Sequence, residues 1–508
     1  MKRLATVALV AIAGLAGCAE NGPESTLAPA SPDFHHATAG VARVTSANPT
    51  GPGSFHWAID RANRTPAIGR IVFAERLRPI ALTRRIEFLG TQDLVIEGRG
   101  VVLTGELLDG GSTALRFAGG GEVTIRQLTV RNAPAEGITV DIPAGSIGTK
   151  KVTLHAVTVA GNQGHGVLVN DQVDPDDTAN PNGSDASVEV VVVDSRFQTN
   201  GFGTLDRDGL RVNEGGLGDL RFTLIGGVAD GNGADGIELD ERGSGDVHLD
   251  VSNSTIVNNG SFDVTLADLD DGFDVDESGD GGVFAKVTNT VASDNKEEGL
   301  DFNENDAGDM RVELVSVEAS RNLEEGIDLE EDDDFQGGGD LIVTAVDVTA
   351  NGNGPGGDGG LKIRERGDGN IDADIRGAVT SGNLTGGTSI REQGNGDLIA
   401  RIDGLTANQN GASGIAFRED DAGSQAAAVK NATAEANGVH GIDFDENSAG
   451  DLSATVEASR AVGNTGAGVR ADQQTAGVGS LSLTGVTSSG NGGGDLVTNA
   501  GVTVTQLP

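Results

Sequence analysis

The 508-residue sequence has no tyrosine, a single tryptophan (Trp57), one cysteine, and aromatic residues at only 3%. Without rings there is no platform on which sugars or bases could stack. With one cysteine no disulfide can close within the chain. Positive charge is also scarce, 35 Lys and Arg against 77 Asp and Glu, for a net charge of −42. A phosphate backbone needs a basic face, so nucleic acid is not an expected partner; cations and cationic surfaces are. Composition alone, acidic and poor in aromatics, is compatible with disorder. The ordering of the residues argues against it.

A glycine followed by apolar residues at +1 and +3 and an acid at +5 opens at Gly209 and ends in Glu214. The pattern returns with its acid at Glu241, Glu277, Glu304, Glu331, Glu365, Glu392, Glu419 and Glu446. Six of the eight intervals are 27 residues and the other two are 36 and 34, the same period with insertions. A tenth copy at Gly468 ends in Gln473, and weaker copies precede the series at Gly137 and Gly166. A fixed period of this length predicts a solenoid. From Gly299 each turn reads as three short strands, Leu300–Phe302, Met310–Leu314 and Val315–Ala319, with apolar residues alternating inward. Asparagine recurs four residues before the glycine, at Asn162, Asn232, Asn295, Asn322, Asn383, Asn410, Asn437 and Asn464, and predicts a stacked amide ladder. The repeat glycine is expected to supply a backbone angle that other residues dislike. Insertions near 173–186, 261–270 and 335–359 are expected to form loops beside one face, and 502–508 shows no clear cap.

The N-terminus has a basic start, Lys2-Arg3, an apolar run from Leu4 to Leu15 too short to span a bilayer, and Leu15-Ala16-Gly17-Cys18. This resembles the lipobox of bacterial lipoproteins. The resemblance implies a signal peptide over 1–17, lipidation of Cys18, a membrane anchor, and, with Ala19 next, an outer-membrane destination. Residues 18–38, with Pro23, Pro29 and Pro32, read as a tether, and residues 39–508 as the solenoid. His35-His36 at the tether's end reads as solvated. Ser54 caps a one-faced helix with apolar Phe55, Ala58, Ile59 and Ala62, suited to cover the open end of a strand stack. Strands are expected at Arg70–Phe73, Asp93–Glu97 and Val101–Thr104. The Gly-Pro-Gly-Ser helix, short strands and Asn- and Gly-marked repeats resemble the right-handed parallel β-helix, pectin-lyase-like superfamily. That resemblance implies an all-β, single-stranded right-handed coil with an N-terminal capping helix, and is silent on activity.

If the nine glutamates stack one rung apart, neighbours repel by ~1 kcal/mol in water and ~3.5 kcal/mol at an effective dielectric of 20. Two things could offset this: backbone amides of the following turn, as in Glu304-Asn-Asp-Ala-Gly-Asp309, or calcium held between rungs. The candidate metal ligands are Glu214, Glu241, Glu277, Glu304 and Glu331, with the outward Asp274, Asp276, Asp301 and Asp328. Positions +2 and +4 are acidic over four rungs, extended by Asp270 and Asp271, and then turn basic. Lys362, Arg364, Arg391 and Arg418 are candidate ligands for an acidic glycan. A solvated, self-neutralising surface is the alternative.

No catalytic set is evident. Gly164-His165-Gly166 echoes one element of the polygalacturonase-like pattern, but Asp176-Asp177 follows rather than precedes it, and His165 is expected to be an exposed strand residue. The expected role is binding or surface scaffolding, with calcium as a stabiliser and a polysaccharide or cell-surface component as ligand. The alternative is a lyase, hydrolase or epimerase acting on acidic polysaccharide.

Overall fold

The computed structural model describes residues 40–172, 182–202, 206–260, 270–331, 338–474 and 477–507. Cys18, His35, His36, Asp176, Asp177 and the centres of the first two expected insertions lie outside the described residues; the third, 335–359, is not one loop, since it contains the regular strand Leu341–Val346. From Gly40 the chain winds as a right-handed parallel β-helix. One face is a sheet of fifteen strands in chain order among the described residues, from Ile86–Phe88 to Gly494–Thr498, one strand per turn. Two further strands per turn close the coil, for example Leu220–Ile225 and Val228–Asp230.

Alternation drives the winding. In Leu220–Ile225 the residues Leu220, Phe222 and Leu224 are buried and their neighbours are not, so every second side chain enters a narrow core of Val, Leu, Ile and Ala. Rings are few and stack between turns, as Phe417 and Phe444 do at 5.1 Å between centroids. One residue per turn in the left-handed region makes the corner between the second and third strands, as at Asn253 (φ 54), Asn289 (φ 48), Ser316 (φ 55) and Asp347 (φ 53). This corner shortens an expected strand. Ser316 ends the second strand at Val315, and the third is reduced at that turn to an isolated bridge at Glu318. Near the start, the expected Asp93–Glu97 and Val101–Thr104 form one strand, Leu94–Thr104, whose register shifts between Glu97 and Val101.

The helix α1 (Phe55–Arg64) covers the N-terminal end. Ser54 Oγ accepts from Trp57 N at 3.2 Å, and Phe55, Ala58, Ile59 and Ala62 are buried against the first turns. No helix among the described residues is long and apolar enough to cross a membrane.

The asparagine ladder is longer than its sequence signature. Twelve amides stack from Asn162 through Asn200, Asn232, Asn259, Asn295, Asn322, Asn353, Asn383, Asn410, Asn437 and Asn464 to Asn491. Each donates from Nδ2 to the next Oδ1 at 2.8–3.4 Å. Asn200, Asn259 and Asn353 escape a fixed offset because residues are inserted between them and their glycines. The repeat glycines have a reason other than the expected one. Their φ angles are not left-handed; a Cβ at Gly209 would lie 2.4 Å from Gly236 O and 2.6 Å from Asn232 Nδ2. Close approach of the next turn and of the amide ladder excludes a side chain there.

Candidate cation site

The nine glutamates stand in one row. Glu214 pairs in register with Glu241, and so on through Glu277, Glu304, Glu331, Glu365, Glu392, Glu419 and Glu446, which pairs with Gln473. All nine are fully buried, at 0% exposure. Backbone amides of the following turn donate to them, as from Gly308 N to Glu304 Oε1 (3.0 Å), Gly339 N to Glu331 Oε1 (2.9 Å) and Gly367 N to Glu365 Oε1 (2.7 Å). At least one oxygen of each carboxyl has no donor of this kind. Neighbouring carboxyls lie within hydrogen-bonding reach of one another, which requires a proton between them. Burial, and then the next acid in the row, supplies the drive. It lifts Glu304 to about 9, Glu331 to about 10 and Glu392 to about 11, while burial lifts Glu214 to about 7 against the lowering hydrogen bonds of Glu241 and Gly216.

The outer side of the same sheet carries a second acidic feature. The residue just before the repeat glycine is acidic on five successive turns: Asp208, Asp235, Asp271, Glu298 and Glu325. Together with the +2 residues these acids form overlapping triads whose ligand atoms lie within 4.8 Å of one another. The triads are Asp206, Asp208 and Glu238; Asp235, Glu238 and Asp274; Asp271, Asp274 and Asp301; Asp271, Glu297 and Glu298; and Glu298, Glu324 and Glu325. Each shares a member with the next, so carboxylates run unbroken across five turns.

Protein cations sit at the two ends of this run. At one end Arg211 reaches Glu238 Oε1 at 2.7 Å and Asp240 Oδ2 at 2.8 Å. At the other, Lys362 bonds Asp328 at 2.7 Å and also Glu330, which Arg364 contacts as well. Between them no Lys or Arg forms an ion pair with Asp235, Asp274 or Asp301 among the described residues. Glu238 Oε2, Asp301 Oδ1 and Glu325 Oε2 are buried without a hydrogen-bond donor, although Glu238 is 7% exposed and Glu325 only 1%. Burial, and then the neighbouring acids, pushes Asp235, Asp274 and Asp301 well above the usual carboxylate range, and Asp276 to about 6. Such a set of carboxylate oxygens on adjacent rungs could hold a metal ion, which would displace the protons these acids carry.

The expected ligands therefore divide. Asp274 and Asp301 lie in the triads. Asp328 is held by Lys362, and Asp276 stands beside the run near Asp240 and Arg242. Glu214, Glu241, Glu277, Glu304 and Glu331 face the interior and belong to none of the triads among the described residues. The strip is also less open than an outward-facing row implies. Glu238, Asp240, Asp328, Glu330 and Lys362 are all buried, because long side chains such as Arg211 and Lys362 lie across the sheet to reach two rungs at once. The basic residues have partners in the chain: Lys362 and Arg364 as above, and Arg391 and Arg418 both on Asp420, each at 2.5 Å.

His165 is buried at 4% exposure rather than exposed. Its Nδ1 accepts from Asp208 N at 3.1 Å and lies 3.1 Å from Asp208 Oδ2. It occupies the same position before the repeat glycine as Asp208, turned inward at the edge of the run. The acids in that column, Asp271 apart, escape a reading that starts its count at the glycine; acidity at −1 on five turns running is the signal that marks them.

Fold and site define an acidic right-handed β-helix with a strip of carboxylate triads on its first-strand sheet. No family model matches the chain, and no curated protein does. Among solved structures it is similar to a mutant of the periplasmic alginate epimerase AlgG, with 10% identity, covering 86% of this chain and 76% of that one at a TM-score of 0.32. It is similar to the catalytic domain of a GH87 alpha-1,3-glucanase in complex with nigerose, with 13% identity over 91% and 68% and a TM-score of 0.29. Pectate lyase Pel9A matches with 16% identity over 78% and 80% and a TM-score of 0.28.

Proposed function

We propose that this chain is a lipid-anchored, extracytoplasmic β-helix with a binding or scaffold role, and that its acidic strip holds divalent cations, calcium foremost. The observation that carries this reading is the unbroken run of carboxylate triads, in which Asp235, Asp274 and Asp301 have no Lys or Arg ion pair among the described residues. Asp235, Asp271, Asp274 and Asp301 are the ligands at its centre. A cation there relieves the mutual repulsion of the strip and has coordination positions left for an anionic ligand, such as a carboxylate of an acidic glycan. The buried glutamate row braces the turns, and Cys18 carries the anchor.

Calorimetric titration with calcium, paired with melting in calcium and in chelator, tests the strip. A ligand specific to the folded state must raise the midpoint. Identical melting curves and no heat of binding remove the cation. A second reading, an enzyme acting on acidic polysaccharide, is favoured by His165 and Arg211, which put a titratable ring and a guanidinium at the edge of the same strip. Incubation with polyuronates separates the two: unsaturated products, new reducing ends or inverted residues appear only if the strip is catalytic.

A further inference from the structure

The charge of this chain is unevenly placed along the coil. From Gly40 to Phe88, the first turns and their lid, there are eight arginines and three carboxylates, a net of +5, so the rest of the chain holds −47 of the total of −42. The three acids are shared: Asp60 with Arg84, Glu87 with Arg85 and Arg116, and Glu75 with Arg99. Arg43, Arg61, Arg64, Arg76 and Arg78 are exposed and have no carboxylate partner among the described residues. Two of them stand on α1, where Arg61 lies over the ring of Trp57, 4.7 Å from its centroid. That half-buried ring is the one tryptophan of the chain. A stacked guanidinium and indole at a capped end form a basic, amphipathic tip on an otherwise acidic rod.

We infer that this capped end docks on an anionic phospholipid surface. The inference rests in part on the anchor reading, since this end begins at Gly40, the described residue nearest in sequence to Cys18. The physics is an orientation. Lipid phosphates repel the acidic body, −46 over residues 89–508, and attract the basic tip, so the rod stands on its lid and presents the acidic strip away from the membrane. Arginines near an anionic surface bind it additively, and the attraction decays within a Debye length.

The test uses the mature chain from residue 18 with Cys18→Ser, which lacks both the lipid and the basic, apolar signal peptide, sedimented with vesicles of phosphatidylcholine alone or mixed with phosphatidylglycerol. Binding is expected to the mixed vesicles only, and to be lost at high salt. Arg61→Gln with Arg64→Gln should weaken it about 30-fold, roughly fivefold for each arginine removed. Arg76→Gln with Arg78→Gln, in a loop away from the lid packing, should do the same, which guards against a misfolded helix variant. Arg401→Gln, many turns away, should change nothing. Absence of binding to anionic vesicles, binding indifferent to both pairs, or tighter capture of the same end by a soluble polyuronate overturns the inference. Fatty-acid labelling of the wild-type chain reads the anchor separately: if labelling fails while vesicle binding holds, only the anchor falls.

Discussion

Replacing Glu392 by glutamine probes the buried acid row most directly. Burial, and then the Glu419 carboxyl, lifts Glu392 from 4.5 to about 11. Between those values the folded protein keeps a proton that the unfolded chain has released. More protons bound in the folded state means that stability is greatest below about pH 4.5 and declines as pH rises toward 11. At pH 8 the span from 4.5 is about 3.5 units, and at about 1.4 kcal/mol per unit the rung costs about 5 kcal/mol relative to acid. Because the folded value lies above pH 8, the assay pH sets this magnitude. A glutamine has the shape of the protonated acid, cannot ionise, and offers its NH₂ to Glu365 and Glu419 in the adjoining rungs. The row already ends this way, with Gln473 in register below Glu446 and donating to Gly450 O at 3.0 Å. For a body the size of Gly40–Pro508, an unfolding entropy of ~2.1 cal/mol/K per residue comes to about 1 kcal/mol/K. Glu392→Gln should therefore raise the melting midpoint by about 5 °C at pH 8 and leave it unchanged near pH 4.5. Circular dichroism melts of both proteins at the two pH values decide the matter. Parallel pH profiles, or a variant less stable at pH 8, would refute the shared-proton account of the row.

Other rungs make separate tests. Asn410→Ala removes the acceptor for Asn383 Nδ2 and N and the donors to Asn437 and Thr380, and should cost about 3 kcal/mol, read by urea unfolding; a neutral result would deny the ladder a role. Gly414→Ala places a Cβ 2.7 Å from Asn437 Nδ2 and 2.9 Å from Gly441 O, and should destabilise by about 2–4 kcal/mol, whereas an alanine at the open Gly110 position would meet no atom within 4 Å, at a φ that is not left-handed. Calcium affinity should rise from pH 5.5 to pH 8 with release of protons, because Asp235, Asp274 and Asp301 hold theirs unusually tightly in the absence of metal. Titrations in buffers of different ionisation heat count those protons, and Asp274→Asn, which removes the acid shared by two triads, should weaken binding at least tenfold.

A spacing of 27 residues with Glu at a constant offset is a statement about register, and register in a stack of parallel strands is a one-dimensional property. The sequence by itself therefore determined the coil, the row of acids, most of the amide ladder and the lid over the first turn, since Ser54 and the Phe55, Ala58, Ile59, Ala62 face are local features. Only the tertiary structure decided which atoms converge. Where residues are inserted, as before Gly209, Gly272 and Gly360, a fixed offset no longer finds Asn200, Asn259 or Asn353, yet the coil brings them back into line, each buried amide donating both to the next amide and to a backbone carbonyl, as Asn200 Nδ2 does to Val159 O. The bend before each first strand turns the −1 acids toward the +2 column, so that Asp235 and Asp271 meet Asp274, which periodicity in two cannot foresee. The same holds for side chains that reach between rungs: Arg211 and Lys362 bury themselves among acids of adjoining turns, because desolvated charge seeks its partner across the stack and not along the chain, and His165 Nδ1 finds its donor, Asp208 N, on the next turn.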